Sequence, residues 1–292
     1  MLENFNLESF SEENLEDLHE FFEKHAGLHS FSFKSFKGVT LKDDDFDPSL
    51  ALVAREKDSG MIIAAFFAII RNAPMMLKGR AIPYKFTTLN MFAVHQDYRN
   101  QGIGTAMLDE LVARLKKKGR NKVRLMGALP QYLFPGLDPR YTKGFCFLRK
   151  HGFKKKGERI NLLYDIPDDF PKPPGKLKDI RYSRATDGDL DELNEFLKKR
   201  PGVWAREVQF SLEEKPYTTF IARNQEGVIV GYASHSIGFE ETFGPTEVAK
   251  SERGKGIGGT LLKWCVYDLK EMGISQMVIR WVVGHNIHYY SK

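Results

Sequence analysis

Two stretches, YRNQGIGTAML (Tyr98–Leu108) and ERGKGIGGTLL (Glu252–Leu262), lie 154 residues apart in a chain of 292. At that spacing Arg99 matches Arg253, Gly102 matches Gly256, Ile103 matches Ile257 and Gly104 matches Gly258. The spacing holds without a gap to Gly119 and Gly273, and on into KVRL (Lys122–Leu125) and QMVI (Gln276–Ile279). Upstream, Val94 matches Val248. A repeat of this length restricts the chain to two copies of one folding unit. Each copy opens on an amphipathic stretch, SEENLEDLHEFFEKH (from Ser11) and TDGDLDELNEFLKKR (from Thr186). Both begin with a hydroxyl residue followed by acids, as helix N-termini prefer. These openings are 175 residues apart, so the first copy holds 21 extra residues before its glycine loop.

Between the copies runs IPDDFPKPPGKLKD (Ile166–Asp179), whose four prolines and mixed charge mark a linker. The expected boundary falls near residue 172. Within the second copy, Tyr217–Asn224 and Gly227–Phe239 read as a strand pair around Gln225-Glu226-Gly227. Phe243–Lys250 reads as the strand entering the loop, Ile257–Met272 as a helix closed by Gly273, and Gln276–Val283 as the next strand. The first copy supplies Leu50–Glu56, Met61–Arg71, Phe86–His95, the helix Ile103–Lys118, and Lys122–Met126.

Several function classes are disfavoured. The net charge of +6 is modest and spread out, and no nucleic-acid motif accompanies the lysine runs at 116–118 and 154–156. The longest apolar run, Met61–Ile70, is ten residues, too short to span a bilayer. The acidic, amphipathic N-terminus is not a secretory leader, so the expected location is the cytoplasm. Cys146 and Cys265 both fall in apolar helical patterns and read as core residues. No metal-ligand motif is present, and no metal is expected.

The loop sits between a strand and a helix, where unpaired amides and the helix dipole favour a bound anion. RGKGIGG also satisfies G-x-G-x-x-G through Gly254, Gly256 and Gly259. A dinucleotide site requires an acid at the end of the next strand, and MVIRWVVG has none. It also requires the loop to follow the first strand, whereas here it follows about three. Nor does Gly-Lys-Ser/Thr occur at P-loop spacing.

What the copies share is Arg-x-x-Gly-x-Gly. VHQDYRNQGIGTAML and VAKSERGKGIGGTLL both resemble the acetyl-CoA loop of the GNAT acetyltransferase superfamily, and the resemblance covers nearly the whole chain in the family's order of elements. It implies an α/β protein of two tandem GNAT domains, residues 1–171 and 172–292. Each is a mixed, mostly antiparallel sheet flanked by helices. It further implies that loop amides hold a CoA pyrophosphate, at Arg253, Gly254, Lys255, Gly256, Ile257, Gly258 and Gly259. In the first copy these are Arg99, Asn100, Gln101, Gly102, Ile103, Gly104 and Thr105. The preceding strand pairs with pantetheine at Phe92 and Val94, and at Thr246 and Val248.

The implied chemistry is direct attack of a primary amine on the thioester of acetyl-CoA. In the family a tyrosine late in the last helix often protonates the thiolate. Tyr290 stands there, with Asn286 upstream. The first copy has Leu148 at that place and Tyr141 seven residues earlier, so it lacks the acid. Glu247, beside the expected thioester, is the first choice of base, with Glu240, Glu241 and His235 as alternatives. The second copy stops two residues past Tyr290 without a final strand, and omitted residues are the expected reason. The second domain is therefore the expected N-acetyltransferase, and the first is expected to be a degenerate acetyl-CoA binder. Alternatives are catalysis in the first domain, or acyl-CoA sensing without turnover. Expected partners are acetyl-CoA and an unidentified amine, with neither nucleic acid nor membrane.

Overall fold

The computed structural model describes residues 5–28, 30–71, 74–77, 80–83, 86–128, 131–198, 202–282 and 284–290. The chain divides into two compact units, one of Met1–Ala73 with Pro83–Glu158, the other of Pro74–Ile82 with Arg159–Lys292.

The first unit runs β1 (Phe5–Ser9), α1 (Leu15–His25), α2 (Phe33–Gly38), β2 (Ala51–Glu56) and β3 (Ile62–Arg71). The chain then makes a separate two-stranded sheet of β4 (Pro74–Leu77) and β5 (Arg80–Pro83), of which Pro74–Ile82 group with the second unit. Then come β6 (Phe86–Val94), α3 (Ile103–Lys117), β7 (Arg124–Leu125) and α4 (Thr142–Lys150). Its sheet has the order β1-β2-β3-β6-β7. The apolar run of the sequence becomes β3, which is covered on both faces. Phe66 and Ala68 meet the α3 residues Ile103, Met107 and Leu111. Phe67, on the opposite face by alternation, packs on Phe22 of α1 and Phe36 of α2.

The second unit contains β8 (Ile160–Asp165), β9 (Lys176–Leu177), β10 (Ile180–Arg184), α5 (Leu190–Lys198), α6 (Gly202–Phe210) and β11 (Thr219–Arg223). It continues with β12 (Ile229–His235), β13 (Thr242–Val248), α7 (Ile257–Glu271), β14 (Gln276–Val282) and α8 (Gly284–Tyr290). Its sheet has the order β8-β14-β13-β12-β11-β10-β9. Leu261, Cys265 and Leu269 of α7 cover one face against Phe220, Val230, Phe243 and Met277. Leu193, Leu197 and Val208 of α5 and α6 cover the other.

Three sequence expectations differ from this structure. The unit division falls between Glu158 and Arg159 rather than near residue 172. The cause is β8, which lies before the proline-rich segment yet pairs antiparallel with β14, from Gln276↔Asp165 to Val282↔Ile160. The place expected to want a strand is thus filled from upstream in the chain. Third, Cys265 is buried but Cys146 is exposed, because α4 turns Phe147 and Leu148 inward and Cys146 away. The expected strand end Val283 lies outside the described residues.

Candidate active site

In each unit two parallel strands begin paired and then part. β6 pairs with β7 only at Thr88↔Arg124 and Leu89↔Leu125, with Met126 N donating to Leu89 O at 2.9 Å. β13 pairs with β14 only at Thr242↔Val278 and Phe243↔Ile279. Leu89 and Phe243, like Leu125 and Ile279, stand 154 apart, so the strands part at the same point of the repeat. Beyond it, Asn90–Val94 and Gly244–Val248 keep a neighbour on one edge only, among the described residues. Their other edge faces the throat of a V, open to a chain that pairs through its own amides.

A bulge marks the throat in both units. Leu89 and Phe92 both join the core under α3, so the odd spacing inserts Asn90 and Met91 together, where the register with β3 shifts. The second unit shifts between Ala233 and His235, opposite Gly244 and Pro245. Asn90 is 3% exposed, and its Oδ1 has no hydrogen-bond partner among the described residues.

The glycine loops lie at the ends of these strands. Gly102 and Gly256 are the N-caps of α3 and α7 with φ of +87° and +82°, which L side chains resist. Asn100 at φ +63° stands where the second loop has Gly254 at +84°. Asparagine tolerates that region better than most residues, so one backbone path serves both loops. The shared arginines clasp the loops to their strands: Arg99 Nε donates to Val94 O at 3.0 Å and Arg253 Nε to Val248 O at 3.1 Å. The helical ladders start at Ala106 N→Gly102 O and Thr260 N→Gly256 O. The amides of Ile103, Gly104 and Thr105, and of Ile257, Gly258 and Gly259, precede that first bond. A Cβ added at Gly254, Gly256 or Gly259 would meet nothing within 4 Å. The second loop is therefore an open cradle of amides at the positive end of a 15-residue helix dipole. Lys255 pairs with Glu252 at 2.7 Å, and Gln101 Nε2 donates to Asp97 O at 2.9 Å. Thr105 Oγ1 bonds His151 Nε2 at 3.1 Å.

Tyr290 lies edge-on to Phe243, the last paired residue at the throat, with centroids 6.2 Å apart. Burial pushes its phenol up to about 12, so it stays protonated at neutral pH. Its neighbour Tyr289, which sequence reasoning passed over, points at the loop: a Cβ on Gly258 would lie 2.4 Å from its hydroxyl. In the first unit Phe147 takes that place, 3.4 Å from a Cβ on Gly104, and Leu148 is buried beside it. Leu148 thus corresponds to Tyr290. Tyr141 is elsewhere, its hydroxyl donating to Ala26 O and accepting from Leu28 N at 2.9 Å.

Among the candidate bases, Glu247 has a side chain 10% exposed, and its Oε1 accepts from Arg253 Nη2 at 3.3 Å. His235 is fully buried, with Nε2 2.9 Å from Asp268 Oδ2, and Arg184 also pairs with Asp268. Asp268 lies twelve residues beyond Gly256 along α7, about 18 Å at 1.5 Å per residue. The His235 side chain therefore belongs to a network with Asp268 and Arg184 remote from the loop, although its backbone stands opposite Phe243. Glu240 is exposed, and Glu241 pairs with Arg280 at 2.8 Å. Glu207, on the helix α6 that packs over β13, gave no sequence signal. Desolvation pushes its carboxyl up to about 8. Among the described residues no group of three His, Cys, Asp or Glu is placed to hold a metal, and no helix is long and apolar enough to cross a membrane.

The model of the acetyltransferase (GNAT) family matches residues 8–131 and 189–292. The chain belongs to that family. Each match takes in one strand pair and its glycine loop, so both units are GNAT units. No curated protein matches the sequence. Among solved structures, a glucosamine N-acetyltransferase region of a fungal multi-domain β-N-acetylglucosaminidase superposes with a TM-score of 0.73 at 20% identity. That match takes in 98% of this chain and 36% of the other, so the chain spans about a third of that protein. A tandem GNAT protein of the clavulanic acid pathway superposes at 0.67 and 17% identity, over 98% and 93% of the two chains. Saccharomyces cerevisiae N-myristoyltransferase, with bound myristoyl-CoA, superposes at 0.58 and 13% identity, over 96% and 74%. At these identities the likeness is one of fold.

Proposed function

We propose that this protein is an N-acetyltransferase that moves the acetyl group of acetyl-CoA to a primary amine by direct attack, with the chemistry in the second unit. One observation carries the reading: the V-shaped throat, the open amide cradle and the Tyr290 phenol converge in that unit. The cradle of Arg253, Gly254, Lys255, Gly256, Ile257, Gly258 and Gly259 fits a pyrophosphate. The freed edge of β13, at Thr246 and Val248, fits the amides of pantetheine. The donor contributes a thioester whose carbonyl carbon is electrophilic.

The residues then divide the proton work. The amine nitrogen bonds to the carbonyl carbon, the C–S bond breaks, and the amine's proton must leave. Glu247 on β13 and Glu207 on α6 are the carboxylates near β13 that can receive it. Glu247 lies on β13 itself, whereas Glu207, its carboxyl pushed up to about 8, is mostly protonated at neutral pH and serves as base only on the alkaline side. Tyr290 donates to the departing sulfur. The first unit offers its own cradle, from Arg99, Asn100, Gln101, Gly102, Ile103, Gly104 and Thr105, with the strand edge at Phe92 and Val94. It has Leu148 where the phenol would be, and its role is to bind acyl-CoA.

A second reading, with chemistry in the first unit, rests on Pro245. Proline has no amide, whereas the corresponding Met91 keeps one at the bulge. Thiol release from acetyl-CoA across a panel of amines tests the main reading. Tyr290→Phe should lower kcat about 10²–10⁴-fold with little change in CoA affinity. Unchanged turnover removes Tyr290 as the acid. If Gly102→Glu abolishes turnover while Gly256→Glu spares it, the chemistry moves to the first unit.

A further inference from the structure

Arg280 is the residue that the acyl-transfer chemistry leaves without a role. It follows Ile279, the last residue of β14 paired with β13, so it stands at the throat of the second unit. Its counterpart 154 residues earlier is Met126, which carries no charge. β14 is irregular here: its register with β8 shifts between Ile279 and Val282, and Trp281 takes φ +58°. The corresponding Gly127 takes φ +69°, so the turn belongs to the repeat, but in the second unit an aromatic residue is held in it, which is strained. Bulges of this kind re-aim a neighbouring side chain.

Ile279 joins the core under α7, so alternation turns Arg280 onto the opposite face, the one covered by α5 and α6. There its guanidinium lies over the Phe239 ring, 3.9 Å from the centroid. Nη2 donates to Glu241 Oε1 at 2.8 Å, and Nε is buried with no acceptor among the described residues.

The buried arginine of the first unit shows what a structural guanidinium looks like. Arg71 is 1% exposed and distributes its donors over both Asp43 oxygens, Asp45, Ala128 O and Gln131 O. Arg280 holds one carboxylate and keeps a buried N–H unspent. Leaving such a donor unmade is costly, and the planar edge of a guanidinium matches a carboxylate.

We infer that Arg280 recognises the acceptor, and that the acceptor is a primary amine carrying a carboxylate a short distance from its nitrogen. The inference rests on the proposed acyl transfer in the second unit. Arg280 is adjacent to the last paired position, so the acid group it holds sits close to the attacking amine. The substrate class is therefore short amino acids rather than simple alkylamines.

The test uses the full chain, saturating acetyl-CoA and thiol release, with glycine, β-alanine and 4-aminobutanoate set against ethylamine, propylamine and butylamine. At least one acid should exceed its matched amine in kcat/KM by about 10- to 100-fold. Arg280→Met should bring that ratio near one. Arg280→Lys, which keeps the charge but not the fork, should restore part of it. If Arg280→Met fails to fold, the wild-type ratio and the lysine variant decide. Equal kcat/KM for acids and amines overturns the inference, as does an acid preference that survives in Arg280→Met. A loss in that variant confined to kcat and equal for both series assigns Arg280 to the thioester and also overturns it. Turnover of neither series overturns this inference alone, and the acyl-transfer reading falls with it only if no amine of the wider panel releases thiol from acetyl-CoA.

Discussion

Replacing Gly256 with alanine separates backbone strain from ligand binding. Gly256 caps α7 at φ +82°, and Gly273 ends the same helix at φ +80°. At each, an added Cβ would meet nothing within 4 Å. Both substitutions therefore incur the same left-handed penalty, about 1–2 kcal/mol. Both recover about 0.4–1 kcal/mol from the stiffer unfolded chain. Net destabilisation should be at most about 1.6 kcal/mol, a fall of a few degrees in Tm. The two sites differ in what lies outside them. The Cβ at Gly256 would occupy the cradle proposed for the pyrophosphate, while the Cβ at Gly273 points away at the far end of the helix. Acetyl-CoA at 100 times its Kd for the second unit should stabilise that unit by about 2.7 kcal/mol, and a tenfold weaker Kd cuts that to about 1.4 kcal/mol. Thermal unfolding with and without acetyl-CoA reads both effects. Gly273→Ala should keep the ligand-induced shift, and Gly256→Ala should lose half of it or more. An equal shift in both variants would refute the cradle in the second unit.

Replacing Ile160–Asp165 with a Gly/Ser segment removes five registered residue pairs between β8 and β14. At about 0.5–1.5 kcal/mol for each hydrogen bond lost, and one bond per pair, the second unit should lose roughly 2.5–7.5 kcal/mol, seen as faster amide exchange in β14. The pH response of Glu207 gives another check. Its folded value of about 8 lies above the ordinary 4.5, so its contribution to stability is full below about pH 4.5 and is lost as pH rises through 8. Denaturant unfolding at pH 7 and 9.5 should show a smaller alkaline loss in Glu207→Gln than in the wild type.

The repeat was legible because a fixed spacing survives any substitution at the surface. The spacing of 154 that joins the loops also joins Leu89 to Phe243, where both strand pairs part. The destination of β8 was not legible. An apolar strand before a proline-rich linker reads as the end of what precedes it, and only pairing shows which sheet it joins. Helical phase defeated the sequence at α8, where Tyr289 and Tyr290 are adjacent but face the loop and the throat respectively. His235 gave no sign of its burial, because its partners Asp268 and Arg184 are distant in the chain. Arg280 was invisible for a different reason: a charge on a strand reads as solvated unless the bulge beside it is known.

The correspondence between the copies also shows where they diverged. The clasp arginine, the left-handed cap and the buried isoleucine are kept in both loops, and all three shape the cradle. At the throat almost nothing is kept. Leu148 faces Tyr290, Met126 faces Arg280, Asn90 faces Gly244 and Met91 faces Pro245 in the alignment. Each exchange alters a proton, a charge or a hydrogen-bonding group, and the fold tolerates all of them. The left-handed caps favour glycine on backbone grounds alone, whereas no such backbone requirement fixes the residues of the throat. On the proposed function, two units that both bind an acyl-CoA but offer different chemistry at its thioester would account for that pattern. On that proposal, the unspent Nε–H of Arg280 and the buried Oδ1 of Asn90 would face two unlike ligands. One presents a donor and the other an acceptor, so a single acceptor molecule is not expected to suit both units equally.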